Sequence, residues 1–494
     1  MQNSMTANEP SGSLHHSGVI TPRYPEQAVE SDDPLGVERA RLPAWGPVDV
    51  WRLEREQTRQ RLCNVIIAIY WLLILEGALR KWIAPSYQKE LFFIRDPLVL
   101  YVYVIAITKG FWPRRSVLFW SGLFLALLGF SLIVFHLGDR SLMIMAYGWR
   151  NYFAYLPLAF IIGEQFRYDD WLRLVRFTVV VALPIAVLCV FQSVAPVTAP
   201  INAGFGGSSD ELFYVANVTG RITRACGTFT SGTGQVQLIG SLTAMLLWLW
   251  SNRRARSTFG KWILPAAAAG TITMLIVGGH RAAFVSALLV ASAGAAMTGV
   301  IYYSVRTSTK VFVGAGLLVI LVLLSGKYLF PEQGAAILTR TRGVAERDSA
   351  YSVSEGLVNR VLWDFVHFVG YIPETNILGR GLGFSGNASE VLGLSSGFEE
   401  GAEDDWSRNI LDLGPIIGIL FILYRIAFVV ALVIGAGIAS RRYRDALPGL
   451  LVGFVGITLL YGQISGQGSV NGYGWIFAGM CMAANAGHLT ISDA

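Results

Sequence analysis

After residue 61 the chain is dominated by long apolar runs separated by short polar stretches. The runs fall at about 62–80, 91–109, 116–135, 142–163, 172–192, 234–251, 262–279, 282–304, 311–330, 410–438, 447–464 and 472–488. Each is close to the roughly 20 residues that cross a bilayer as a helix. Lipid offers a backbone no hydrogen bonds, so runs of this length predict helices. The strands of a membrane β-barrel would instead show alternating segments of about ten residues. The expected fold class is an all-α integral membrane protein of about 12 transmembrane helices, with one large external loop, residues 330–409, between helices 9 and 10.

Residues 1–61 break this pattern. They are polar, rich in Ser, Pro, Glu and Asp, and carry too little apolar surface to fold alone, which predicts a disordered arm. Its last part, Trp51–Arg61, is charged and reads as a surface helix leading into the first span. Residues 62–494 then form the polytopic membrane domain. No cleavable signal peptide is expected, because the first apolar run begins only after residue 61. Within the 330–409 loop, Gly356–Tyr371 reads as an amphipathic helix, with Leu357, Val361, Leu362, Phe365, Phe368 and Val369 at helical spacing.

Composition sharpens the membrane reading. The chain is 53% hydrophobic and 15% charged, against roughly a quarter charged in soluble domains. The formal charge of +6 sits largely in short loops beside apolar runs, so membrane topology explains it better than nucleic acid does. A cytoplasmic N-terminus puts Lys109/Arg114/Arg115, Arg167/Arg173/Arg176, Arg253/Arg254/Arg256/Lys261, Arg306/Lys310 and Arg441/Arg442/Arg444 all on the inner side. That is the positive-inside pattern, and it predicts a bacterial inner-membrane protein with both termini cytoplasmic. Cys63, Cys189, Cys226 and Cys481 lack metal-ligand spacing and imply no disulfide framework.

Arginines outside those inner loops carry the candidate chemistry. Arg150 is followed by only a short apolar stretch, so its helix must begin before it, in the outer half of the membrane. Arg425 lies about fifteen residues from the basic cluster at 441–444, hence roughly 20–25 Å from that side. A charge at the centre of a span costs about 2.5–3.5 kcal/mol on the lenient insertion scale. Two such residues point to a polar cavity opening outward; the competing reading is snorkelling, or pairing with a carboxylate such as Asp412. Arg221, Arg224, Arg281, Arg360 and Arg408 add positive charge to outward segments and ask for an anionic partner. Guanidinium groups bind phosphates bidentately, so a lipid pyrophosphate fits, as do ordinary phospholipid headgroups. The acidic run Glu399, Glu400, Glu403, Asp404 and Asp405 supplies a candidate general base for a sugar hydroxyl, with a solvated loop as the plainer alternative. His280 and His367 are further candidates, against the commoner role of a structural histidine. Gly381-x-Gly383-x-x-Gly386 matches a dinucleotide fingerprint, but no strand–turn–helix context surrounds it. His15–His16 and Asn217-Val-Thr219 are set aside as chance patterns.

Four segments resemble the bacterial O-antigen ligases and Wzy-type O-antigen polymerases, over roughly residues 220–470. They are Arg224-Ala-Cys-Gly-Thr-Phe before a span and the turn Gly279-His-Arg281-Ala-Ala between two spans. The others are Asn359-Arg360…Trp363 with Pro373…Gly379-Arg-Gly381-Leu-Gly383 in the large loop, and Asn409-Ile-Leu-Asp-Leu-Gly414-Pro at the span that follows. The resemblance implies a fold of about twelve helices and transfer of an undecaprenyl-diphosphate-linked oligosaccharide to an acceptor hydroxyl at the periplasmic face, with no cofactor or metal. It implies Arg224 and Arg281 as diphosphate ligands with Arg360 in support. Other polysaccharide-assembly proteins and membrane lipids are the implied partners. Where ligases carry a His-Asn pair before the span after the large loop, this chain has Asp404-Asp405-Trp-Ser-Arg408-Asn409, which leaves Asp404, Asp405 or His280 as the catalytic group and Arg150, Arg425 and Arg408 as further substrate-binding residues. A multi-pass transporter or flippase of lipid-linked glycans is the rival reading; such proteins often show two similar halves, and no such symmetry is visible here.

Overall fold

The computed structural model describes residues 47–302, 363–385 and 402–490, apart from 139, 197, 204–213, 218–219, 364 and 403, together with Tyr328 and Pro331. The chain divides into two compact units, residues 1–52 and 53–494. Of the first, only the start of helix α1 is described.

The chain is a helical membrane protein. Among the described residues, six helices are long and apolar enough to cross a bilayer: Trp51–Ile83, Leu91–Thr108, Val117–Phe135, Tyr168–Val194, Arg281–Ile301 and Asp405–Tyr443. They leave Leu100, Val104, Ile107, Phe124, Leu127, Val187 and Ile438 exposed, an apolar surface far beyond what a soluble monomer leaves bare. The run at 311–330 lies outside the described residues, as do most of the large loop and all of the predicted amphipathic helix before Trp363.

In order, the elements used below are α1 (Pro47–Ala78), α2 (Asp96–Thr108), α3 (Val117–Phe135), α4 (Leu142–Trp149), α5 (Leu156–Gln165), α6 (Tyr168–Val194), α7 (Gly232–Ser251), α8 (Arg253–Ser257), α9 (Ile263–Val277), α10 (Arg281–Tyr302), α11 (Phe368–Tyr371), α12 (Asp405–Tyr443), α13 (Leu447–Leu460) and α14 (Gly468–Asn485). A short antiparallel hairpin, β1 (Tyr214–Asn217) and β2 (Gly220–Thr223), precedes α7, with Tyr214 opposite Thr223. Helix α1 takes in Trp51–Arg61, the last residues that composition assigned to the arm. Arg59 within that stretch is buried and bonds Asp170 at 2.7 Å and the Gln165 carbonyl at 2.8 Å.

Helices α7 and α14 form the centre. Lipid tails are as apolar as leucine, so small residues that let backbones approach closely do much of the packing. Gly479 of α14 lies against the Ala159 carbonyl and Ile162 of α5, while Gly449 and Gly453 of α13 lie against Met297, Ala293 and Val290 of α10. Three interruptions break the regular helices. π-Helical turns occupy Leu79–Ile83 and Arg150–Ala154, and α12 is broken at Gly414, whose φ of 77° and ψ of 164° lie outside the helical region. The four cysteines are free and buried.

The helices run between two unlike ends. At one end Arg59 meets Asp170, Tyr443 bonds the Ala486 carbonyl, and Arg55 lies over Phe111. The described basic loops after α2, α5, α7 and α12 are on this end. At the other end α7, α10, α12 and α14 all begin, and the arginines outside the basic loops collect there.

Candidate functional site

The N-termini of α7, α10, α12 and α14, among those at this end, bring unsatisfied N–H groups and the positive ends of the helix dipoles. The loop Tyr461–Gln467, between α13 and α14, lies at their centre. Asp405, in the first turn of α12, accepts from the Ser465 amide at 3.1 Å and its hydroxyl at 2.6 Å, and pairs with Arg425. Arg425 also donates to the Leu459 carbonyl at 2.7 Å, so it caps the last turn of α13. Arg408 lies 3.7 Å from Asp405 and donates to the carbonyls of Ser385 and Ala402, both at 3.0 Å. It lies so close to Gly466 that any side chain there would overlap its guanidinium. Both oxygens of Asp405 are therefore engaged within the protein.

A second cluster lies across Gly468. Arg95 bonds Glu76 at 2.7 Å and approaches the Gly468 carbonyl, and Arg150 bonds Asp96 at 2.7 Å and Asn151 at 2.9 Å. Arg80 joins Glu76 at 3.2 Å. Phe92 lies under both Arg80 and Arg150, at 4.7 and 5.5 Å, so aromatic faces help to hold cations that have been taken out of water. Three guanidinium groups face two carboxylates here. The helix carrying Arg150 does begin before it, at Leu142, but a π turn at Arg150 swings that side chain inward. Such turns recur at functional sites.

The third group joins two of the sequence motifs. His280, in the tight turn before α10, faces the Ala225 backbone, beside Arg224, and its ring covers Gly232 at the start of α7. Arg281 follows as the first residue of α10. Ser231 and Thr233 bond each other at 2.8 Å, and Thr233 donates to Gln467, which links this group to the Tyr461–Gln467 loop. Lys81 holds the Arg224-Ala-Cys-Gly-Thr-Phe segment in place by donating to the carbonyls of Gly227 at 2.9 Å and Phe229 at 2.8 Å.

Loss of water around the His280 ring pushes its pKa down from the ordinary 6.5 to about 4, and the Ala225 backbone opposes this only in part. The imidazole is thus neutral in the folded protein at neutral pH. Between those two values the unfolded chain binds more protons, so stability rises with pH and is lost as pH falls from about 6.5 toward about 4. The His280 contribution to that slope reaches about 1.4 kcal/mol per pH unit. Thermal unfolding of micellar protein across this window should show the acid loss, and His280→Gln should flatten it.

Asp404 differs from its neighbour. One oxygen caps α12 by accepting from the Ser407 amide at 2.7 Å; the other lies 3.8 Å from Nδ1 of His367. That imidazole stacks on Trp363, with ring centres 4.9 Å apart, and meets the edge of Tyr371. Arg425 and Arg150 do pair with carboxylates, as the competing sequence reading had it, but Arg425 uses Asp405 and Arg150 uses Asp96 rather than Asp412. Asp412 accepts from the amides of Gly383 at 3.1 Å and Ser385 at 2.8 Å and from the Tyr152 hydroxyl at 3.2 Å. It thereby pins the Gly379–Ser385 segment, whose glycines 379, 381 and 383 all have positive φ. Within the nucleotide-like glycine pattern, Gly381 and Gly383 lie in a turn that packs Gly383 against Gly148, and Gly386 lies outside the described residues.

Of the residues singled out from sequence, Arg150, Arg224, His280, Arg281, Asp404, Asp405, Arg408 and Arg425 occur at the same end of the bundle. Arg360, Glu399, Glu400 and Glu403 lie outside the described residues. Sequence reasoning passed over Lys81, Arg80, Arg95, Glu76 and the Tyr461–Gln467 loop. Charges at the end of the first apolar run, and the run Gly-Gln-Ile-Ser-Gly-Gln-Gly at 462–468, were the available signals. No family model, no curated protein and no solved structure matches the chain.

Proposed function

We propose that the protein is a membrane glycan polymerase or ligase that transfers an oligosaccharide from an undecaprenyl-diphosphate carrier to an acceptor sugar hydroxyl. In this reading about twelve helices cross the bacterial inner membrane, both termini are cytoplasmic, and residues 330–409 form a periplasmic loop. The observation that carries it is the gathering of helix N-termini, those of α7, α10, α12 and α14 among them, with Arg224 and Arg281 at the end opposite the basic loops. The positive-inside rule makes that end the outer one, and its charge suits a lipid-borne polyanion.

The reaction needs little else. The acceptor oxygen bonds to the anomeric carbon of the donor sugar, the bond from that carbon to the diphosphate oxygen breaks, and the diphosphate departs on its lipid. Fixed positive charge in a water-poor site stabilises the developing anion. The hydroxyl proton passes to the Asp404–His367 pair, which has a carboxylate oxygen free of Asp405's ion pairs. Asp405 and Arg425 serve as scaffold.

Asparagine caps a helix as well as aspartate does, so Asp404→Asn should fold normally while slowing transfer by about 10²–10⁴-fold. The assay is conversion of lipid-linked oligosaccharide by purified protein, with elution and unfolding profiles as the control. Wild-type rates in a folded Asp404→Asn protein would sink the base assignment.

A further inference from the structure

Among the described residues, no carboxylate balances Lys81. Its side chain belongs to the π turn that closes the first span and is only 8% exposed. Among the described residues it forms no ion pair. Its ammonium donates to two carbonyls and lies 4.4 Å from the Trp82 ring centre. A buried cation without a counter-ion is expensive, at several kcal/mol even after relaxation, so its retention asks for an anion.

A small, partly open pocket lies beside it, lined by Lys81, Gln192, Asn202, Ala203, Thr223, Arg224 and Cys226. Among the described residues the lining contains two cations and two amides and no acidic side chain. Arg224 Nε is buried there without a hydrogen-bond partner. Gln192 is fixed by three bonds, accepting from the Gly227 amide at 2.8 Å and donating to the carbonyls of Gly227 and Ile201 at 3.1 Å. Asn202 is anchored to the Pro196 carbonyl at 2.9 Å. The wall is therefore built before any ligand arrives, which lowers the cost of binding.

We infer that this pocket binds a phosphoryl group through Lys81 and Arg224, and that the group is one phosphate of the lipid diphosphate. The second half of that statement rests on the glycan-transfer reading; the first does not. A guanidinium offers a fork of donors and the ammonium a point charge, a pairing that suits a phosphate held at the edge of the bilayer.

The test uses the full-length protein in nanodiscs of zwitterionic lipid and measures binding of polyprenyl diphosphate, polyprenyl monophosphate, uncharged polyprenol and inorganic pyrophosphate. Wild type should prefer the diphosphate lipid. Lys81→Met should weaken it by about tenfold or more, the loss expected for one charge-assisted hydrogen bond, while leaving polyprenol unchanged. Lys81→Arg should retain most of the affinity. If Lys81→Met does not fold, Arg224→Gln reports on the opposite wall and should show the same selective loss. Unaltered diphosphate affinity in a folded Lys81→Met protein overturns the role of Lys81 and leaves glycan transfer standing. Inorganic pyrophosphate binding as tightly as the lipid keeps the phosphoryl pocket but overturns the lipid as its source. Wild type indifferent to every phosphorylated probe overturns the pocket and the donor reading together.

Discussion

Asp405→Asn will destabilise the protein by about 3–5 kcal/mol, the usual consequence of stranding one member of a buried ion pair. Arg425 is 1% exposed. With the carboxylate gone its charge retains the carbonyls of Leu459 and Gly462, the Phe421 ring and a neutral amide oxygen, in surroundings where water cannot replace the lost partner. Arg425→Met should cost a similar amount, because Asp405 keeps Ser465 and the more distant Arg408 but loses its nearest cation. The double variant Asp405→Asn/Arg425→Met should be less damaged than the sum of the two, since neither charge is left stranded. That non-additivity, read from unfolding midpoints in micelles, separates a scaffold pair from two independent contributors. It also separates the neighbouring aspartates: Asp405→Asn loses activity with the fold, and Asp404→Asn loses activity without it.

Gly414→Ala is the second large effect. The glycine sits at φ 77° and ψ 164°, a conformation essentially reserved for glycine, and the following Pro415 cannot supply an amide to mend the helix. An added methyl would overlap the Ile377 carbonyl and come within 2.8 Å of the Gly379 amide. Backbone strain of about 1–3 kcal/mol adds to overpacking of about 1–3 kcal/mol. The damage should spread to the site. The displaced Ile377–Gly379 strap leads into the segment that Asp412 pins, and Ser385 at its end holds Arg408. Gly437→Ala, in the same helix but facing open space, is the matched control and should be neutral or slightly stabilising. Thermal unfolding of the two variants side by side checks the contrast.

The helices were legible in the sequence because lipid demands long apolar runs, and Val117–Phe135 or Tyr168–Val194 can be read almost by eye. Gly232–Ser251 and Gly468–Asn485 were legible as helices, yet nothing marked them as the centre. Their glycines, Gln235, Gln237 and Asn471 lower the apolar content because these helices pack on other helices rather than on lipid. Arginines inside apolar runs were also visible. Their partners were not, since Asp405–Arg425 and Asp96–Arg150 depend on how distant segments meet; nearness in sequence favoured Asp412. The π turns at Leu79–Ile83 and Arg150–Ala154 leave no mark in hydrophobic periodicity, and with them the inward turn of Lys81 and Arg150 was hidden. Nothing marked the Tyr461–Gln467 loop, because glycine, glutamine and serine carry no charge, although Gly466 admits Arg408 closely and Gly472 of α14 does the same for Arg95.

The most direct measurement is incubation of the purified, reconstituted protein with an undecaprenyl-diphosphate-linked oligosaccharide and an acceptor glycan, following both the glycan and the lipid. Transfer should lengthen or cap the acceptor and release lipid diphosphate in equal amount, with Arg281→Ala strongly impaired while folded. Donor that stays intact, or that merely crosses the bilayer with its glycan attached, would contradict glycan transfer and favour a carrier of lipid-linked sugars.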